Sequence, residues 1–132
     1  MKRFKWFALF AALILLLAAC GNQDKDQSAE KNGSKDSYTV KHAMGTATID
    51  GTPKKVVVLT NEATEAVLAL GVKPVGAVQS WLGDPWYDHI KDKMKGVENV
   101  GTEAAPNIEK IASLKPDLII GNKVRQEEVY DK

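Results

Sequence analysis

The chain predicts an α/β fold of three layers, a mostly parallel sheet with helices on both faces. Two observations carry this. Residues 56–121 repeat one phrase: a short apolar run, a helical pattern, a Gly or Pro stop, and another apolar run. The runs Val56-Val57-Val58-Leu59 and Leu118-Ile119-Ile120 are continuously apolar rather than alternating, as strands covered on both faces require. A strand–helix–strand rhythm of this kind implies parallel pairing through right-handed crossovers.

In chain order, residues 1–19 read as a secretory signal: a basic head of Lys2, Arg3 and Lys5, an apolar core over 6–17, and the small-residue exit Leu17-Ala18-Ala19. A membrane span needs about 20 apolar residues, and this run breaks at Cys20-Gly21, so a cleaved signal is expected rather than an anchor helix. Cys20 is the single cysteine and forms no intramolecular disulfide. Residues 20–37 are polar and of mixed charge with nothing to bury, which predicts a flexible tether before a domain at 38–132.

Within the domain, 38–42 and 46–50 flank Ala43-Met44-Gly45 and predict a hairpin. His42 has no Cys, His or carboxylate partner at ligand spacing, so it reads as an exposed strand histidine rather than a metal ligand. After the strand at 56–59, Ala63, Ala66, Val67 and Leu70 make one helical stripe over 61–70, with Glu62 and Glu65 in the first turn and Gly71 as the stop. Residues 75–78 return as a strand. A short helix is expected over 89–94 and a short edge strand over 97–100. In the second unit Asn107 caps a helix whose buried face is Ile108, Ile111, Ala112 and Leu114, and Pro116 forces Lys115 out of helical geometry. The helical pattern that opens at Gln126 reaches Lys132 without a Gly, Asn or Pro cap, so a truncated chain is expected.

Loops at the carboxyl ends of parallel strands are where open α/β sheets gather ligands. Three such stretches stand out. Thr60-Asn61 follows the first strand. Gln79-Ser80-Trp81 opens a loop whose Trp81 and Trp86 serve either ligand contact or packing. Asn122, Lys123 and Arg125 follow Gly121, where the two cations either meet an anionic ligand or neutralise Glu127 and Glu128 one turn on.

Without residues 1–19 the chain carries 15 basic and 17 acidic side chains, net −2. No basic stripe, zinc-finger spacing or aromatic RNA-binding signature points to nucleic acid. Walker, Gly-x-Gly-x-x-Gly and Gly-x-Ser-x-Gly motifs are absent too, which weighs against a flavodoxin-like or nucleotide-binding enzyme.

Several of these segments carry a resemblance. Pro53-Lys54-Lys55-Val56-Val57-Val58-Leu59, Leu70-Gly71-Val72-Lys73-Pro74-Val75-Gly76 and the run from Pro106 through Lys115-Pro116-Asp117-Leu118-Ile119-Ile120-Gly121 are similar to the amino-terminal lobe of iron-siderophore and cobalamin substrate-binding proteins of ABC importers. Leu17-Ala18-Ala19-Cys20 resembles a lipobox, which implies a lipidated Cys20 and a place on the extracytoplasmic face of the membrane. The tail at 121–126 with the Trp-containing loop is most similar to ferric-citrate binders, with heme or cobalamin as alternatives. The resemblance implies one lobe of a two-lobed, helix-linked protein, not an enzyme, that captures a ferric chelate and needs no resident cofactor or protein-bound metal. Placement after the strands gives Lys123, Arg125, Trp81, Asn61, Gln79 and Asn122 as the expected ligand contacts, and the resemblance implies docking of Glu127 or Glu128 on permease arginines.

Overall fold

The computed structural model describes residues 37–132, so the expectations for the signal, for Cys20 and for nearly all of the tether lie outside the described residues. The chain enters through an antiparallel hairpin, β1 (Ser37–His42) and β2 (Gly45–Asp50), joined at Ala43-Met44. His42 lies exposed at the hairpin end. Its Nδ1 accepts the Met44 N–H at 3.2 Å, and Nε2 is 3.4 Å from the Tyr130 hydroxyl.

The valine run becomes β3 (Val56–Val58), buried throughout, as β-branched side chains on a strand with no free face should be. It lies between β4 (Gly76–Ala77) and β6 (Leu118–Ile120), and β5 (Glu98–Asn99) pairs with β4. All three pairings are parallel, with Val57 opposite both Gly76 and Ile119. The strands are shorter than the apolar runs predict, but their order, β5-β4-β3-β6, is that of a parallel sheet.

Helix α1 (Asn61–Ala69) starts where the Thr60 side chain accepts the Ala63 N–H at 3.2 Å. It stops in a paired motif: Val72 N–H donates to Val67 O, Gly71 N–H donates to Leu68 O, and Gly71 adopts φ +79. The buried stripe differs from the expected one. Asn61, Thr64, Val67 and Leu68 face inward, while Ala66 is exposed and Leu70 is 80% exposed. Hydrogen bonding explains the rotation, because Thr64 Oγ1 donates to Thr60 O at 2.9 Å and Asn61 is held by a buried carboxylate. Satisfied polar groups can occupy a buried face.

Helix α2 (Ile108–Leu114) is capped by Asn107 Oδ1, which accepts the Lys110 N–H at 2.9 Å, and ends at Lys115 in left-handed geometry, φ 50. Ile111 is buried and Ile108 and Leu114 partly so; Ala112 faces solvent, since a helix of two turns offers the sheet only a narrow stripe. Gly76 permits its close approach: a Cβ there would lie 2.6 Å from Leu114 Cδ1.

The two sheet faces hold separate clusters. Val56 and Val58 pack with Val67 of α1, and Ala77 packs with Leu68, Trp86, Ile90, Met94 and Val97. On the opposite face Val57, Val78 and Val100 meet Ile111. Each such aliphatic side chain contributes about 1.5–3 kcal/mol through burial. Residues 88–96 form a succession of hydrogen-bonded turns rather than the expected helix, closed by Met94 N–H to Ile90 O and Val97 N–H to Met94 O.

Candidate functional site

Parallel strands release the chain at one common edge, so the segments after β3, β4, β5 and β6 converge there. Gln79 N–H donates to Gly101 O at 2.8 Å, joining the loops after β4 and β5. The loop at 80–87 is closed by Ser80, whose N–H donates to Pro85 O at 2.9 Å and whose Oγ accepts the Tyr87 N–H at 3.0 Å. After β6, α3 (Lys123–Gln126) is capped by Asn122 Oδ1, which accepts the Arg125 N–H at 3.0 Å, and a 3-10 turn, Glu127–Val129, follows. A cleft of about 630 Å³ opens between these segments, walled by Gln79, Trp81, Glu103, Val124, Arg125 and Glu128 among others.

Glu103, which sequence reasoning did not single out, is the hub of this edge. Its side chain is only 6% exposed. Oε1 accepts the Asn61 backbone N–H at 2.6 Å and Asn61 Nδ2 at 2.8 Å. Oε2 lies 2.9 Å from Arg125 Nε, an ion pair set off the hydrogen-bond axis, and has no other partner. A buried carboxylate is costly unless it is paired, and these donors supply the pairing. The backbone is fastened as well. Gln126 Nε2 donates to Glu103 O at 3.0 Å and Leu59 O at 3.3 Å, while its Oε1 accepts the Asn122 N–H at 2.8 Å.

Arg125 has three neighbours at once. Beyond Glu103, its Nη2 is 3.3 Å from Glu62 Oε1, and the guanidinium carbon lies 5.7 Å from the Trp81 ring centroid. Glu62 is held below the ordinary carboxylate value, first by its own backbone N–H and then by the charge of Arg125. A guanidinium over an indole face is a cation–π contact.

The expected site residues therefore separate. Gln79, Trp81 and Arg125 share the cleft wall, and Trp81 is 68% exposed. Trp86 is 8% exposed and belongs to the core, the packing alternative. Asn61 and Asn122 stand at the same edge, but their side chains hold Glu103 and cap α3. Lys123 Nζ lies 3.4 Å from Glu127 Oε1, the neutralising alternative, whereas Arg125 pairs with Glu62 and Glu103 and not with Glu128. Glu127 and Glu128 border the cleft. One signal could have found Glu103: it is an acid in the small-residue loop at the carboxyl end of β5, where the strand-edge rule applies as it does after β3 and β4.

A smaller hollow of about 240 Å³ lies across Trp81, between Glu62, Glu65, Tyr87 and His89. His89 Nε2 is 2.7 Å from Glu65 Oε1, and the His89 ring stacks on Tyr87 at 5.5 Å. Among the described residues no group of three His, Cys, Asp or Glu could hold a metal ion, and no helix is long and apolar enough to cross a membrane.

Comparison with known proteins agrees with this architecture. The chain is 58% identical to "Probable siderophore-binding lipoprotein YfiY" of Bacillus subtilis over 99% of its own length and 40% of the relative. It is 35% identical to "Fe(3+)-citrate-binding protein YfmC" of the same organism, over 96% of this chain and 41% of that one. Among solved structures, Staphylococcus aureus SirA complexed with staphyloferrin B superposes with a TM-score of 0.69 at 55% identity, over 70% of this chain and 32% of that chain. The chain thus spans about 40% of the length of these curated relatives. The family described as periplasmic binding protein matches residues 56–132, more than half of the sequence, and the chain belongs to that family.

Proposed function

We propose that this chain forms one wall of the ligand cleft of an extracytoplasmic substrate-binding lipoprotein, which captures a ferric chelate and delivers it to an ABC importer. Ferric citrate or a related carboxylate siderophore is the cargo. The observation that carries the reading is the placement of Arg125 over Trp81 at the mouth of a cleft built by strand-end loops. A ferric chelate of carboxylate type presents oxygens at its surface. A guanidinium meets such groups with paired, charge-assisted hydrogen bonds, and the exposed Trp81 offers an apolar face beside it. Gln79 adds a neutral polar side chain at the same wall. Iron travels as part of the cargo, with its coordination filled by the chelator. The names of the relatives, which specify siderophore and ferric-citrate binding, support this class of ligand.

Lys123 has a secondary part in this reading, since its ammonium is shared with Glu127 and becomes available only when that pair opens. Asn61 and Asn122 support the wall from behind. The acids Glu127 and Glu128 dock on permease arginines, and lipidated Cys20 keeps the domain at the membrane.

Titration of the full chain with ferric citrate, followed by tryptophan fluorescence, tests the reading. Saturable quenching that is lost in Trp81→Phe is the expected result. An emission that changes with neither ferric citrate nor a hydroxamate siderophore would overturn it.

A further inference from the structure

The cation of the cleft is backed by an almost wholly buried acid at the cleft wall. Of the Glu103 oxygens, Oε1 accepts from both N–H groups of Asn61, and Oε2, which has no hydrogen-bond partner, faces Arg125 Nε at 2.9 Å as an ion pair. Such a carboxylate cannot turn away, because turning would strand Asn61 or leave a buried charge unpaired. Its loop is fixed independently through Gln126, which spans Glu103 O, Leu59 O and the Asn122 N–H.

The consequence falls on the orientation of the guanidinium. With Nε drawn to Glu103 and the ring of Trp81 beneath, the plane of Arg125 is restricted on two sides. Nη2 touches only the exposed Glu62, a partner that an incoming carboxylate can displace at little cost. Neither contact uses Nη1, so the outer edge of the guanidinium is left to the cleft. Arginine has several rotatable bonds, and fixing them before binding removes an entropic cost that would otherwise be met at the moment of capture.

We infer that Glu103 is the positioning residue of the cleft: its buried carboxylate holds Arg125 by Nε so that the Nη edge is already aimed at the ligand. This rests on the ligand reading proposed above. It also assigns Asn61 a role through Glu103 and not through the ligand. The chain therefore links the ends of β3, β5 and β6 in one relay, Asn61 to Glu103 to Arg125.

Two measurements decide the matter. In the ligand-free protein the Arg125 Nε resonance is expected to shift in Glu103→Gln, where a neutral amide replaces the carboxylate charge 2.9 Å from Nε. If that resonance is unchanged in Glu103→Gln, the positioning contact does not exist. This readout stands whether or not the proposed cargo binds. In the second, ferric-citrate affinity is measured in a double-mutant cycle. Glu103→Gln should weaken binding by about tenfold in the native background, the loss expected when the guanidinium is no longer held in place before binding, and change nothing further in Arg125→Ala. Equal losses in both backgrounds, with lowered melting temperatures, would reduce Glu103 to a structural acid. Tighter binding by Glu103→Gln would mean that the acid competes with the ligand instead of presenting its partner. A native protein that ignores ferric citrate while its Arg125 Nε resonance still responds to Glu103→Gln would sink the cargo and leave the positioning role standing.

Discussion

Asp117 and Lys55 grip each other from both ends: Lys55 N–H donates to Asp117 Oδ2 at 3.0 Å, and Asp117 N–H donates back to Lys55 O at 2.9 Å. Lys54 N–H adds a further bond to Oδ2 at 2.9 Å. One side chain thereby fixes the start of β6 against the start of β3.

The Asp117 carboxyl is held below its ordinary value of 3.8 by the Lys54 and Lys55 N–H groups. A lowered folded-state value means that ionised Asp117 stabilises the fold above the ordinary value, and that the contribution fades as pH falls through the folded value. Asp117→Asn is therefore expected to melt earlier than the native chain at neutral pH. The gap should begin to narrow as pH drops below about 4 and close only below the lowered folded value, where both chains carry an uncharged group. A gap that widens in acid would contradict this; thermal melts followed by circular dichroism across the range provide the check.

Gly76→Ala should destabilise the domain by about 1–3 kcal/mol, the usual cost of overpacking. Its added Cβ would stand 2.6 Å from Leu114 Cδ1 and 3.0 Å from Val100 Cγ1. Shortening the opposing side chain in Gly76→Ala/Leu114→Val should cost less than the sum of the single changes, as urea titrations would reveal. Strict additivity would place the strain elsewhere.

The two tryptophans of the loop after β4 should part company. Trp86→Ala removes a core side chain and should cost about 3–5 kcal/mol of stability. Trp81→Ala, at an exposed position, should leave the melt within about 0.5 kcal/mol of native while weakening ferric-citrate binding. Unfolding by urea and fluorescence titration separate the two effects.

Reversing Glu127 and Glu128 to Arg should abolish iron uptake by cells while sparing ferric-citrate affinity, if the pair docks on the permease. Both residues border the cleft and Glu127 pairs with Lys123. A weaker dissociation constant in this variant would accordingly assign them to the ligand wall.

Cys20→Ser should release the protein from the membrane, because one acyl chain binds only marginally and two are needed for stable anchoring. Fractionation with metabolic lipid labelling reads this directly. Full retention without label would demand an uncleaved helix.

The sheet was legible because a strand buried on both faces must be apolar at every position, as residues 56–58 are; 118–120 are equally apolar but form the edge strand, where Ile119 is 50% exposed, so the expectation of cover on both faces held only for β3. Caps were legible for a similar reason: Asn107 acts within one turn of its own position. What escaped was whatever depended on partners distant in sequence. The inward face of α1 could not be read from hydrophobicity, since Asn61 is buried only because Glu103, 42 residues later, satisfies it. The cleft was half legible. Trp81 and Arg125 stand out by type and by position after strands, whereas Glu103 looks like any surface acid until the fold places Asn61 and Arg125 around it.

The strand order carries one more consequence, for the time at which the sheet is completed. β3 gains β4 within twenty or so residues, but its other neighbour is β6, so the pairing of Val57 with Ile119 must close over 62 residues of sequence. Among the described residues this is the most non-local strand pairing, and closing it should limit how fast the sheet forms. Until it closes, the open edge can add a strand from another chain, which makes Val56–Val58 the place where misassembly would begin.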